Sequence, residues 1–117
     1  MPRTISMLML GVASLADSVR FYRDVVELEL AQQTGGMAFF NTGGIQLLLS
    51  EELGKAISPR AGAVEIILPS ASVGAEYQAL SAKGCVFLRE PREVTPGHFA
   101  ASFRDPDGHL LTLFGPG

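Results

Sequence analysis

The 117-residue chain has no tryptophan, a single cysteine, and charged side chains at only 18% of its positions. One cysteine, Cys85, allows no internal disulfide, so the fold has to rest on its core, and a reducing cytoplasm is the expected compartment. The nine Lys and Arg residues form no run, which leaves out the basic footprint of a nucleic-acid-binding domain. No stretch is long and apolar enough to span a bilayer, so no membrane partner is expected. The net charge of -3 tolerates a cationic ligand without demanding one.

Hydrophobic residues make up 47% of the chain, which places it among globular domains. Its length suits one domain with a real core and is too short for two independent ones. The start, with Arg3 ahead of apolar residues, has the outline of a short signal peptide. Its apolar run passes straight through Gly11-Val12-Ala13 into a helical pattern, so it reads as a strand. Cys85 follows Gly84 at an expected strand start. It reads as a small buried residue, because no His or Asn is identifiable as a partner for a nucleophile.

One order of elements occurs twice. A strand over 5–12 leads to Ser14, an expected N-cap, and to a helix over 15–26 with Val19, Tyr22 and Val26 on one face. Strands over 29–34, 37–41 and 45–50 follow, separated by Gly35-Gly36 and Gly43-Gly44. Residues 51–61 read as a linker. A strand over 63–68, a helix from a Ser70 cap to about Lys83, and strands over 86–89, 98–104 and 110–114 complete the second copy, with a proline-bearing loop over 90–97. Laying Ser70 on Ser14 and Gly108 on Gly44 puts Ala63 on Met7, Thr112 on Leu48 and Phe103 on Phe39. The expected fold is α+β, a single domain over 1–117 with repeat units of about 1–52 and 61–117. Two βαβββ units would form a paired, partly open mixed β-barrel around a cleft.

The end of the chain, Ser102-Phe103-Arg104-Asp105-Pro106-Asp107-Gly108-His109-Leu110, reads as strand, tight turn, strand. It resembles the closing hairpin of the vicinal-oxygen-chelate superfamily, the group of glyoxalases, bleomycin-resistance proteins and extradiol dioxygenases. Ser18-Val19-Arg20-Phe21-Tyr22 resembles that family's first helix, with a Ser three residues before a Phe-Tyr pair. The family continues with Leu-Gly where this chain has Val26-Glu27. The resemblance implies a homodimer as the assembly. It also implies metal ligands on the first and last strand of each unit, at Met7, Leu48, Ala63 and Thr112. None of these is a His or a carboxylate, so this reads as a member lacking the usual ligands, with no metal and no cofactor.

Strand alternation sets the rest of the expected site. Met7 and Met9 share a face with Ile5, and Gln46 and Leu48 with Ser50. Ala63 and Glu65 share one with Ile67, and Thr112 with Leu110 and Phe114. His98 and Ser102 go with Ala100. The candidate ligand-binding set is therefore Met7, Met9, Gln46, Leu48, Ala63, Glu65, His98, Ser102 and Thr112, a mostly apolar surface with scattered polar groups. Glu65 sits mid-strand, where a carboxylate is costly unless paired or wet. It reads either as a general base or cation anchor, or as a solvated or salt-bridged residue. His98 follows Gly97 and reads as a loop histidine or as a general acid/base. His109, Asp105 and Asp107 read as parts of the turn, and Arg104 as a partner for those carboxylates or for a ligand. Two functions follow. The first is metal-free binding of a small organic molecule, as in a bleomycin-resistance protein. The second is a glyoxalase- or dioxygenase-like enzyme, a lyase, isomerase or dioxygenase, with displaced metal ligands or with Glu65 and His98 as acid-base groups.

Overall fold

The computed structural model describes residues 2, 4–57 and 64–117. The chain divides into two compact units, Met1–Arg60 and Ala61–Gly117. Each unit carries one four-stranded mixed sheet, and the class is α+β.

In the first unit β1 (Met7–Gly11) leads to α1 (Leu15–Arg20), followed by β2 (Glu29–Gln33), β3 (Met37–Asn41) and β4 (Gln46–Ser50). The sheet order is β1-β4-β3-β2, with β1 parallel to β4 and the other pairs antiparallel. Ser14 caps α1 as expected, its hydroxyl accepting from the Asp17 amide at 3.2 Å. The helix does not run evenly to residue 26. It widens into a π-helical turn over Phe21–Val25, and Val26 N–H bonds the Phe21 carbonyl at 3.0 Å. Glu27 then stops it with a φ of 66°. Alternation sends Leu10, Leu47, Leu49 and Phe40 to the helix side, where they are buried with Leu15, Val19 and Tyr22. The Tyr22 and Phe40 rings lie 6.0 Å apart in this core.

The expected linker contains a helix, α2 (Glu51–Ile57). Ser50 caps it, accepting from Leu53 N–H at 3.0 Å. Gly54 reads as a breaker in the sequence, yet it is the point at which α2 meets the end of β1. A Cβ there would lie 2.4 Å from the Val12 carbonyl oxygen. Glu51 reaches back from α2 and accepts from Leu15 N–H at 2.7 Å, satisfying a free amide at the start of α1.

The second unit runs β5 (Glu65–Pro69), α3 (Val73–Ala82), β6 (Phe87–Thr95), β7 (His98–Arg104) and β8 (Leu110–Gly115), with sheet order β5-β8-β7-β6. Its cap is Ser72 rather than Ser70, with Ala75 N–H on the Ser72 hydroxyl at 3.2 Å. Ser70 is still held by the sheet, its N–H on the Phe114 carbonyl at 2.9 Å. Its hydroxyl is buried and has no hydrogen-bond partner among the described residues. Gly84 (φ 90°) closes α3: Gly84 N–H bonds Ser81 O at 3.0 Å and Cys85 N–H bonds Leu80 O at 3.1 Å, the paired bonds of a Schellman motif. The expected proline-bearing loop is mostly strand. β6 passes through Pro91 because it is an edge strand with register shifts, where a missing N–H costs little. Phe103, Leu111 and Leu113 are buried on the helix side, and the rings of Tyr77, Phe87 and Phe103 meet in sequence at an angle, with centroids 4.7 and 5.0 Å apart.

These ladders revise how the repeats overlay. With the two caps Ser14 and Ser72 superposed, Val12 lies on Ser70 and Met7 on Glu65. β1 faces β4 as Met7↔Gln46, and β5 faces β8 as Glu65↔Leu110, which keeps Leu48 on Thr112. Ala63 loses its place over Met7, and it lies outside the described residues. Phe103 moves onto Phe40, because the loop over 105–109 is one residue longer than the loop over 42–45. Both of these phenylalanines are fully buried.

Candidate functional site

Each sheet has one side packed on its helix and one open side. The open side of the first sheet carries Met7 and Met9 from β1, and Gln46 and Leu48 from β4. Met7 is 53% exposed and Met9 41%, whereas Leu48 is buried. Gln46 ends a row of side chains absent from the sequence expectation. Its Nε2 donates to Asn41 Oδ1 at 3.1 Å, and Asn41 Nδ2 donates to Glu29 Oε1 at 2.8 Å. The row exists because Gln46, Asn41 and Glu29 are directly opposite one another on three adjacent strands. The turn at Gly35-Gly36 announces the pairing of β2 with β3, but the register shift between Leu30 and Gln32 that brings Glu29 opposite Asn41 has no local signal.

The open side of the second sheet brings three expected residues together. Thr112 Oγ1 donates to Glu65 Oε2 at 2.5 Å. Ser102 Oγ lies 2.9 Å from Thr112 Oγ1. The register explains the contact: Ser102 and Thr112 are cross-strand partners, and Thr112 is level with Ile67, two residues past Glu65 on β5. Ser102 and Thr112 are buried, at 8% and 6% exposure, and each has its hydroxyl bonded. Ile67, on the same side, is 59% exposed.

His98 lies on this side but far from Glu65. Glu65 is level with Leu110 and, through it, with Arg104 on β7. His98 is six positions from Arg104 (104 − 98) along the same strand, about 20 Å at ~3.3 Å per residue. The two cannot share a proton within one chain. The His98 ring instead stacks on Phe114 with centroids 5.5 Å apart and planes 10° apart, and its Nδ1 is 3.2 Å from the Pro96 carbonyl oxygen.

The closing turn is held by its own side chains. Asp105 Oδ1 accepts from Asp107 N–H at 3.0 Å and from His109 N–H at 2.7 Å, while Oδ2 is 2.7 Å from His109 Nδ1. Both Asp105 and His109 are buried. Arg104 Nη1 donates to the Gly108 carbonyl at 2.8 Å. Cys85 is half-buried, and burial pushes its thiol pKa up, the direction that opposes a thiolate nucleophile.

In the revised overlay the four places corresponding to metal ligands hold Met7, Leu48, Glu65 and Thr112. That is one carboxylate, one hydroxyl that donates its proton to it, and two side chains without a hard donor. Among the described residues, no group of three or more His, Cys, Asp or Glu is placed to hold a metal ion. The donor set does not fit the metal of the metal-dependent proteins that the sequence resembles.

Comparison with known proteins bears on this geometry. A 42-residue stretch is 40% identical to a protein named metallothiol transferase FosB from Staphylococcus haemolyticus; it covers 36% of this chain and 30% of that protein's length. The fold matches the crystal structure of a glyoxalase/bleomycin resistance protein/dioxygenase from Nocardioides, with a TM-score of 0.83 at 23% identity over 99% of this chain and 85% of that one. It also matches a lactoylglutathione lyase from Agrobacterium tumefaciens, with a TM-score of 0.78 at 21% identity over 97% of this chain and 94% of that one. Residues 4–113 match the family model directly, and the chain belongs to the glyoxalase/bleomycin resistance protein/dioxygenase superfamily.

Proposed function

We propose that this protein binds a small organic molecule without a metal ion, in the manner of the bleomycin-resistance proteins of its superfamily, and that it works as a cytoplasmic homodimer. The observation that carries the reading is the content of the four ligand places. Glu65 is their only carboxylate, and one of its oxygens is already engaged by Thr112. Each open side also presents apolar groups, Met7 and Met9 on the first sheet and Ile67 beside Glu65 on the second, the kind of surface that an organic ligand requires. Binding residues are Met7, Met9, Gln46 and Leu48 on the first sheet, and Glu65, His98, Ser102 and Thr112 on the second. The homodimer follows from the family resemblance, and the single cysteine fits a reducing compartment.

A second reading, an enzyme, draws on the stretch shared with the metallothiol transferase, although that stretch spans 30% of the transferase's length. In such an enzyme Glu65 would act as the acid-base group on its own, since His98 lies at the other end of the sheet. The two readings separate on metal content. The purified protein, incubated with zinc, nickel, manganese and ferrous iron and then desalted, is expected to hold far less than one metal per chain. One tightly held metal per chain contradicts the binding reading.

A further inference from the structure

We propose that the open side of the second sheet selects a protonated amine on an apolar body over carboxylates and neutral alcohols. This deepens the reading of the chain as a small-molecule binder and rests on it. The argument comes from hydrogen-bond direction. The single proton of the Thr112 hydroxyl goes to Glu65 Oε2, at 2.5 Å. Thr112 Oγ1 can then only accept at its 2.9 Å contact with Ser102, so the Ser102 proton is spent there. Both hydroxyls are buried, and both protons point along the row toward Glu65. What the row offers outward is Glu65 Oε1, an acceptor bearing negative charge.

Among the described residues three arginines on the same side could reverse that preference, and none is placed to do so. Arg104 is level with Glu65 but is drawn back over the turn onto the Gly108 carbonyl. Arg89 and Arg92 stand opposite Ser102 and Ala100 on β6. Three strand spacings separate β6 from β5, about 14 Å at ~4.8 Å each, which exceeds the screening length of physiological salt. The neighbours of Glu65 are apolar: Ile67 is largely exposed two residues along β5, and Leu110 is directly opposite. An anion here would meet a carboxylate with no donor left to offset it. A neutral alcohol could make one hydrogen bond without the charge, and an ammonium gains both.

The test uses the full chain and three probes of similar shape, 2-phenylethylamine, 2-phenylethanol and 3-phenylpropanoate, titrated by amide NMR. The amine is expected to shift resonances at 65–67 and 110–112 and to bind at least tenfold more tightly than either other probe. Glu65→Gln keeps an acceptor for Thr112 and is expected to fold. It should lower amine affinity at least tenfold and 2-phenylethanol affinity far less, because Gln still offers an oxygen acceptor without the charge. Equal or tighter binding of the alcohol or the carboxylate at these resonances overturns the selection for an amine while the binder reading stands. The selection also falls if Glu65→Gln leaves amine affinity unchanged, or if no probe moves these resonances. Stoichiometric metal uptake overturns both readings.

Discussion

Thr112 and Glu65 are 47 residues apart in the chain and are joined by a 2.5 Å hydrogen bond in which the threonine donates. The bond ties the last strand of the second unit to its first, and it fixes which carboxylate oxygen faces outward. Thr112→Val keeps the shape and removes the donor. It leaves the Ser102 hydroxyl without its acceptor, so the loss is expected to be about 1–2 kcal/mol. Urea denaturation measures it. In a double-mutant cycle, Ser102→Ala combined with Thr112→Val should cost less than the two single losses added together, because both remove the same bond.

Glu27 takes a φ of 66°, a conformation costly for any residue with a Cβ. It follows the π-helical turn at the place where the resemblance to the family calls for glycine. Glu27→Gly is expected to stabilise the protein by about 0.5–1 kcal/mol, and Glu27→Asn by less. The denaturation midpoint should rise without a change in slope.

Gly54 sets the approach of α2 to the end of β1. Alanine there places a methyl 2.4 Å from the Val12 carbonyl oxygen, against backbone that has no side chain to move aside. Gly54→Ala should cost about 2 kcal/mol or more, through overpacking. Amide hydrogen exchange should show the protection lost first over 51–57.

Burial holds the Cys85 thiol above the ordinary thiol range. The folded protein therefore keeps the proton at a pH where the unfolded chain has lost it. Stability tied to this group is fully present below the unfolded thiol pKa and is lost as pH rises through the folded one. The Cys85 reaction with a disulfide reagent should be slower than that of a free cysteine at mildly alkaline pH and should rise only at higher pH. Cys85→Ala should remove the corresponding alkaline fall in denaturation midpoint.

The βαβββ repeat and the side to which each strand points could be read from alternation and glycine spacing. With Phe99, Ala101 and Phe103 as the apolar set of β7, alternation sends His98 and Ser102 to the open side, where the ladders have them. Non-local pairing was out of reach. Two serines precede α3; Ser70 is held by the sheet through its N–H on the Phe114 carbonyl, and Ser72 is the cap, accepting from Ala75 N–H. That two-residue difference moves the third ligand place from Ala63 to Glu65. Gly54 and Pro91 read as breakers because close packing and edge position are tertiary facts. The contact of Glu65 with Thr112 required the β5–β8 register, which no local pattern contains.

Metal stoichiometry after saturation and desalting tests the account most directly. With one carboxylate among the four ligand places, the protein is expected to retain well under one zinc, nickel, manganese or iron per chain, and Glu65→Gln should leave that value unchanged. Retention of one metal per chain, abolished by Glu65→Gln, would contradict the account.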